Sequence, residues 1–205
     1  MNPPTHGVLR ILLVGAFAAL CACARAHREP SEPRDAFLAR LAALEGQAFE
    51  GRVVADAPAQ AESPFTGQTL VMHVRRVTPD RIEVPFHVGA DRSRTWVITR
   101  TAEGLRLKHD HRHADGSEDE LTQYGGDTIG PGSDRRQEFP VDAFSRELFE
   151  RTQRSVSTTN VWAMEIEPGR RFVYELARPG RSFRAEFDLT RPIPPPPAPW
   201  GHESQ

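Results

Sequence analysis

Five consecutive residues, His109-Asp110-His111-Arg112-His113, form the densest set of groups able to bind a metal or move a proton. On an extended strand alternate side chains share a face, which puts His109, His111 and His113 on one side and Asp110 and Arg112 on the other. If Asp115-Gly116 is a two-residue type I′ turn, His113 lies opposite Glu118, Arg112 opposite Asp119 and His111 opposite Glu120. Three imidazoles then face two carboxylates. H-x-H spacing on a strand serves zinc and other divalent cations, with Glu118 or Glu120 as ligand or orienting partner. The same pattern describes a solvated, charge-balanced hairpin tip whose pairs contribute a few tenths of a kcal/mol each, and this is the plainer of the two readings. Facing carboxylates would raise the imidazole pKa values above about 6.5.

Other chemistry is thinly represented. His73, between Met72 and Val74, reads as a partly buried histidine with one partner, and His87 falls on the polar side of its strand, exposed. There is no G-x-S-x-G, and residues 155–159 read as a loop before a strand. Tyr124-Gly125-Gly126-Asp127 lacks both a Walker pattern and a following helix, so it reads as a flexible turn leaving a strand. Phe86, Trp96, Trp162, Phe172 and Phe187 fall at strand spacing and read as core. No residue is assigned a catalytic role, and the reading leans away from an enzyme.

The elements that must position these residues are mostly strands. Phe37, Leu38, Leu41 and Leu44 recur at helical spacing behind Asp35 as a cap, and Gly46 ends that helix. Strands are predicted at 53–54, 70–77, 82–88, 95–99, 105–113, 121–124, 136–139, 159–166, 171–176 and 182–189, separated by turn signals such as Pro79-Asp80 and Gly89-Ala90-Asp91. Residues 142–151, with Phe144, Leu148 and Phe149 on one face, form the second helix. About ten short strands at meander spacing predict a mainly β fold: an antiparallel up-and-down barrel with a short N-terminal helix and one inserted helix, since closure removes exposed edges. A β-sandwich is the alternative.

Residues 8–20 form an apolar run broken only by Arg10, too short from Ile11 onward for a membrane span and typical of a signal peptide. Leu20-Cys21-Ala22-Cys23 resembles a lipobox, which makes 1–23 the leader and Cys23 the lipid anchor; cleavage after Ala24-Arg25-Ala26, freeing a soluble protein, is the alternative. Ala24 after the anchor implies an outer-membrane lipoprotein facing the periplasm. Residues 24–34 read as a polar tether, 35–191 as one domain and 192–205 as a proline-rich arm, docked through Trp200 or holding a partner. The 205-residue chain has a net charge of −2, which becomes −3 without residues 1–22, and gives no electrostatic footprint for nucleic acid. Lys108 is the only lysine, a bias that fits a GC-rich bacterial genome.

Residues 44–51, Leu-Glu-Gly-Gln-Ala-Phe-Glu-Gly, resemble the first turn and strand of calycin-type barrels, the lipocalin and nitrobindin-like group. The resemblance implies a barrel. It departs from the haem-binding members, because residues 114–201 contain no histidine to serve as the late ligand, and haem is disfavoured. A longer block, from Arg94-Thr95-Trp96-Val97 through the histidine run to Tyr124-Gly125-Gly126-Asp127-Thr128, with Asn160-Val161-Trp162 and Phe187-Asp188-Leu189-Thr190, resembles a group of exported bacterial proteins without an assigned activity. Three readings follow: an envelope lipoprotein binding a small, partly apolar molecule, a metal-binding protein using the histidine hairpin, and a structural or interaction module.

Overall fold

The computed structural model describes Met1, residues 32–60 and residues 63–203. The leader, Cys23 and most of the expected tether lie outside these residues. Among the described residues no helix is long and apolar enough to cross a membrane.

The described strands are β1 (Ala48–Ala57), β2 (Leu70–His73), β3 (Arg76–Thr78), β4 (Arg81–Val88), β5 (Asp91–Arg100), β6 (Leu105–His111), β7 (Tyr124–Asp127), β8 (Arg136–Pro140), β9 (Val161–Glu167), β10 (Arg171–Arg178) and β11 (Arg181–Ile193). Ten pair antiparallel in the order β7-β6-β5-β4-β2-β1-β11-β10-β9-β8, while β3 pairs with β4 alone. A bridge between Gly126 and Val141 joins the two ends, so the sheet is a nearly closed up-and-down barrel.

The seam explains a strand that the sequence hid. Expected at 121–124, β7 instead contains Gly125 and Gly126. A Cβ on Gly125 would lie 1.9 Å from the Leu107 carbonyl oxygen, and one on Gly126 1.8 Å from that of Pro140. These glycines are bare because two backbones close on them from either side, which a pattern of side chains cannot record. The inserted helix α2 (Ala143–Arg151) pins the seam. Its N-cap Asp142 accepts from Ser145 N at 2.8 Å and from Lys108 Nζ at 2.6 Å, while the Ser145 hydroxyl accepts from Gly125 N at 2.7 Å.

Helix α1 (Pro33–Ala42) begins two residues before the expected Asp35, capped by the Glu32 carboxylate with proline in its first turn. It turns Phe37, Leu38 and Leu41 into the core, and Arg34 reaches the Glu103 carbonyl while Arg40 pairs with Asp134. Those partners lie in the turns after β5 and β7, so α1 closes one end, the floor. Around the opposite end, the mouth, stand the β1–β2 loop, the hairpin after β6, and α2.

Inward positions alternate as strand geometry requires. Leu70 and Met72, then Val84, Phe86 and Val88, then Trp96 and Ile98, then Leu105, Leu107 and His109 are all buried and cluster with Phe139, Trp162, Phe172 and Phe187. Outward positions of β8 to β11 form a charged ladder. Arg136, Arg171 and Arg184 are paired with Glu138, Glu165, Glu167, Glu175 and Glu186.

On the other side of the barrel the proline-rich arm is a strap. Ile193 pairs with Ala48, and Ala48 with His73; beyond the Met72–Phe86 pair, Pro85, Thr95 and Asp110 continue the row across β4, β5 and β6. The arm follows this row. Arg92 Nη1 donates to the Ala198 carbonyl at 2.7 Å, Trp200 N donates to the Arg92 carbonyl at 3.1 Å, and His202 Nε2 lies 3.1 Å from Asp110 Oδ2. Five strand spacings of about 4.8 Å make about 24 Å, and nine polyproline II residues span about 28 Å, so the segment is just long enough. His73, Pro85, His87, Thr95 and Asp110 point outward yet are buried. The exposed His87 expected from its strand's polarity is thus corrected: the residue is 4% exposed.

Candidate functional site

The histidine run forms the end of β6, but with a different turn from the expected one. Gly116 N donates to His113 O at 2.9 Å, His113 N to Ser117 O at 2.8 Å, and Gly116 has φ +86°. This is a three-residue connection with a glycine bulge, and it moves the register by one. Arg112 faces Glu118, at 3.3 Å between Nη2 and Oε1, and Asp119 N donates to His111 O. The expected pairs His113–Glu118 and His111–Glu120 are therefore not formed. His113, Glu118 and Glu120 are exposed on the hairpin, while His109 and His111 turn into the barrel. Among the described residues no group of three or more His, Cys, Asp or Glu side chains is placed to hold one metal ion.

His109 is 3% exposed, with both ring nitrogens occupied. Nδ1 lies 3.1 Å from the Tyr124 carbonyl oxygen and Nε2 2.7 Å from the Tyr174 hydroxyl. A carbonyl only accepts, so Nδ1 carries the proton, and Nε2 accepts from the Tyr174 O–H. Burial, reinforced by His111, pushes the His109 pKa down to about 3, and the ring is neutral. It stacks on Tyr124 at 4.6 Å and meets the edge of Tyr174 at 5.8 Å.

Nearer the mouth, His111 Nε2 is 3.2 Å from the Tyr124 hydroxyl. Burial and then the Arg94 charge lower its pKa to about 4, against the pull of Asp119, Asp110 and Asp91. The rise expected from facing carboxylates is therefore reversed: the register removes Glu120, and the barrel wall removes water. Burial also pushes Tyr124 up to about 12.

Arg94 completes the cluster. It pairs with Phe86 on one side and His111 on the other, so its side chain shares their inward face. Its guanidinium lies 5.9 Å from the centre of the Phe65 ring and is paired with Asp91. Phe65, half-buried in the β1–β2 loop, sits 4.8 Å from Phe183 and 6.0 Å from Phe86. Behind it, Phe86 stacks on Trp96 at 4.6 Å, and Trp96 on Tyr174 at 4.5 Å. Outside it, a cleft of about 420 Å³ runs between β1 and the loop, lined by Arg52, Val53, Asp56, Phe65 and Gln68 among others.

The mouth therefore combines an aromatic surface, one cation, two neutral imidazoles and two phenols. Of these, only His109 and His111 were singled out from sequence as site residues. Arg94 had a signal, since Trp96 and Ile98 set the parity of the inward face and Arg94 shares it. Tyr174 and Phe65 had none, because a tyrosine in a strand and a phenylalanine in a loop are ordinary. No family model, curated protein or solved structure matches the chain. What the geometry defines is a class: a β-barrel with a buried aromatic cluster and a polar mouth.

Proposed function

We propose that this chain is a non-enzymatic lipoprotein of the bacterial envelope, anchored through Cys23, whose barrel mouth binds a small, partly apolar molecule. The observation that carries the reading is Phe65. A half-buried aromatic ring lies between a cleft and the Phe86–Trp96–Tyr174 stack, as an apolar ligand would. Behind it Phe86, Trp96 and Tyr174 stack across the barrel, so the ligand takes the place of the Phe65 ring rather than passing beyond it.

The test uses the uncharged probe N-phenyl-1-naphthylamine. Its emission should rise saturably with one equivalent bound, and replacing Phe65 by alanine should tighten binding by opening the place the ring fills. A linear, non-saturating signal from the wild-type protein would overturn the reading. The anchor is tested separately, by mass spectrometry of protein from bacterial membranes: a diacylglyceryl group on Cys23 is expected, and a mature chain beginning at His27 would refute it.

A further inference from the structure

We infer that the mouth selects an anionic ligand, a small amphiphile whose acidic group is held by Arg94 while its apolar body replaces Phe65. The inference rests on the binding reading above and adds the chemical class of the ligand.

Three observations converge on Arg94. First, strand parity turns this guanidinium inward at the rim, beside aromatic rings rather than out among the surface ion pairs. Second, its bonding is incomplete: Nη1 donates to Asp91 Oδ2, while among the described residues Nε and Nη2 have no hydrogen-bond partner. Those two N–H groups are a parallel pair of donors, the fork that carboxylates, sulfonates and phosphates fit. Third, the neighbouring groups suit an anion. The Arg94 charge reaches His111, Tyr124 and Tyr174, none of which carries a negative charge near neutral pH, and the Tyr124 hydroxyl can turn from His111 to donate to an acidic oxygen.

The other charges acting here are Asp91, which holds one edge of the guanidinium, Asp119 near His111, Arg154 on the α2 side of Tyr124, and Asp110, which Arg112 and His202 pair on the outer face. Arg94, Arg154, Asp91 and Asp119 together sum to zero, so the head group is recognised by the local donor pair and not by a broad field. Apolar contact comes from Phe86 and Phe183, the rings on which Phe65 packs and which an aryl or short alkyl body would meet in its place.

Two probes with the same anilinonaphthalene body separate head from tail. The sulfonate 1-anilinonaphthalene-8-sulfonate carries a charge that N-phenyl-1-naphthylamine lacks. The wild-type protein should bind the sulfonate more tightly. Arg94→Gln should weaken the sulfonate by about tenfold or more, the usual effect of losing a charge-assisted hydrogen bond, and weaken the neutral probe severalfold less. Asp91→Asn, which frees the third nitrogen, should tighten the sulfonate alone. A wild-type circular-dichroism spectrum certifies that each variant is folded. If Arg94→Gln moves both probes equally, or neither, the anion inference falls while the binding reading stands. If the wild-type protein binds neither probe saturably, both fall.

Discussion

His109 shows how a side chain singled out for metal chemistry can be absorbed by hydrogen bonding. Its two nitrogens are satisfied by a carbonyl and a hydroxyl, and Tyr174→Phe removes one partner while keeping the ring. The expected cost is about 1–3 kcal/mol, the desolvation of an imidazole nitrogen left bare, read from urea unfolding at pH 7. The same burial fixes the pH response. His109 titrates at about 3 in the fold, and His111 and His87 at about 4, against about 6.5 unfolded. The unfolded chain therefore binds protons first, so the contribution of these groups is complete above pH 6.5 and is lost as pH falls towards 4, by on the order of 2 kcal/mol per shielded group at pH 5. Melting temperature should drop between pH 7 and pH 5, and His111→Gln should flatten that slope. Glu118→Gln should leave it unchanged, because that exposed carboxylate pairs with Arg112 rather than with an imidazole. A slope steepened by Glu118→Gln would restore the carboxylate-facing register.

Among elements, the hairpin after β6 and the C-terminal strap depend on each other. Gly116 occupies the left-handed region, and a Cβ there would stand 3.1 Å from the Cα of Gly201 in the strap. Gly116→Val should cost about 1–3 kcal/mol, from backbone strain alone before the strap is displaced, while exposed His113→Ala stays within about 0.5 kcal/mol. Chemical denaturation of both variants checks the ordering, and equal losses would refute it. The strap latches at Asp110. Burial opposes the charge of that carboxylate, but His202 and Arg112 outweigh it and hold its pKa below the usual range. Removing residues 194–205 should lower the melting temperature and uncover the outward row beneath. The decisive reading is His87 by NMR: its pKa should climb from about 4 towards about 6.5 when water reaches it. A His87 that still titrates near 4 would mean that something other than the strap buries it.

On the scale of the whole molecule, the barrel divides its outer surface into two kinds. The β8–β11 side is a water-facing ladder of arginines and glutamates, whose pairs are individually weak in solvent. The β2–β6 side carries the molecule's own polyproline arm, which occupies Arg92 and Asp110 with residues 198–202, while Pro194, Pro195 and Pro197 before them are exposed. With α1 packed across the floor and the arm along one side, the mouth is a place where apolar and polar groups meet a cleft. Increasing ionic strength should therefore weaken binding of the anionic probe only modestly, because the balanced charges around Arg94 provide little long-range field.

Local signals determined much of this. Period-2 alternation and turn residues were enough for a ten-strand antiparallel barrel with a helix before it and one inserted late, because inward side chains must be apolar wherever one face is buried. Ile82, Val84, Phe86 and Val88 are the clearest case, and all four are core. Three decisions belonged to the tertiary structure. Gly125 and Gly126 form a strand because β6 and β8 press on them, a contact between distant segments. The turn at Gly116 took three residues instead of two, and since side chains alternate with every residue, that one step parted His113 from Glu118 and His111 from Glu120. The outward face of Asp110 became interior when His202 at the end of the strap closed on it. Alternation reports which residues share a face; what lies opposite that face depends on register, closure and covering, which are set by segments far away in the chain.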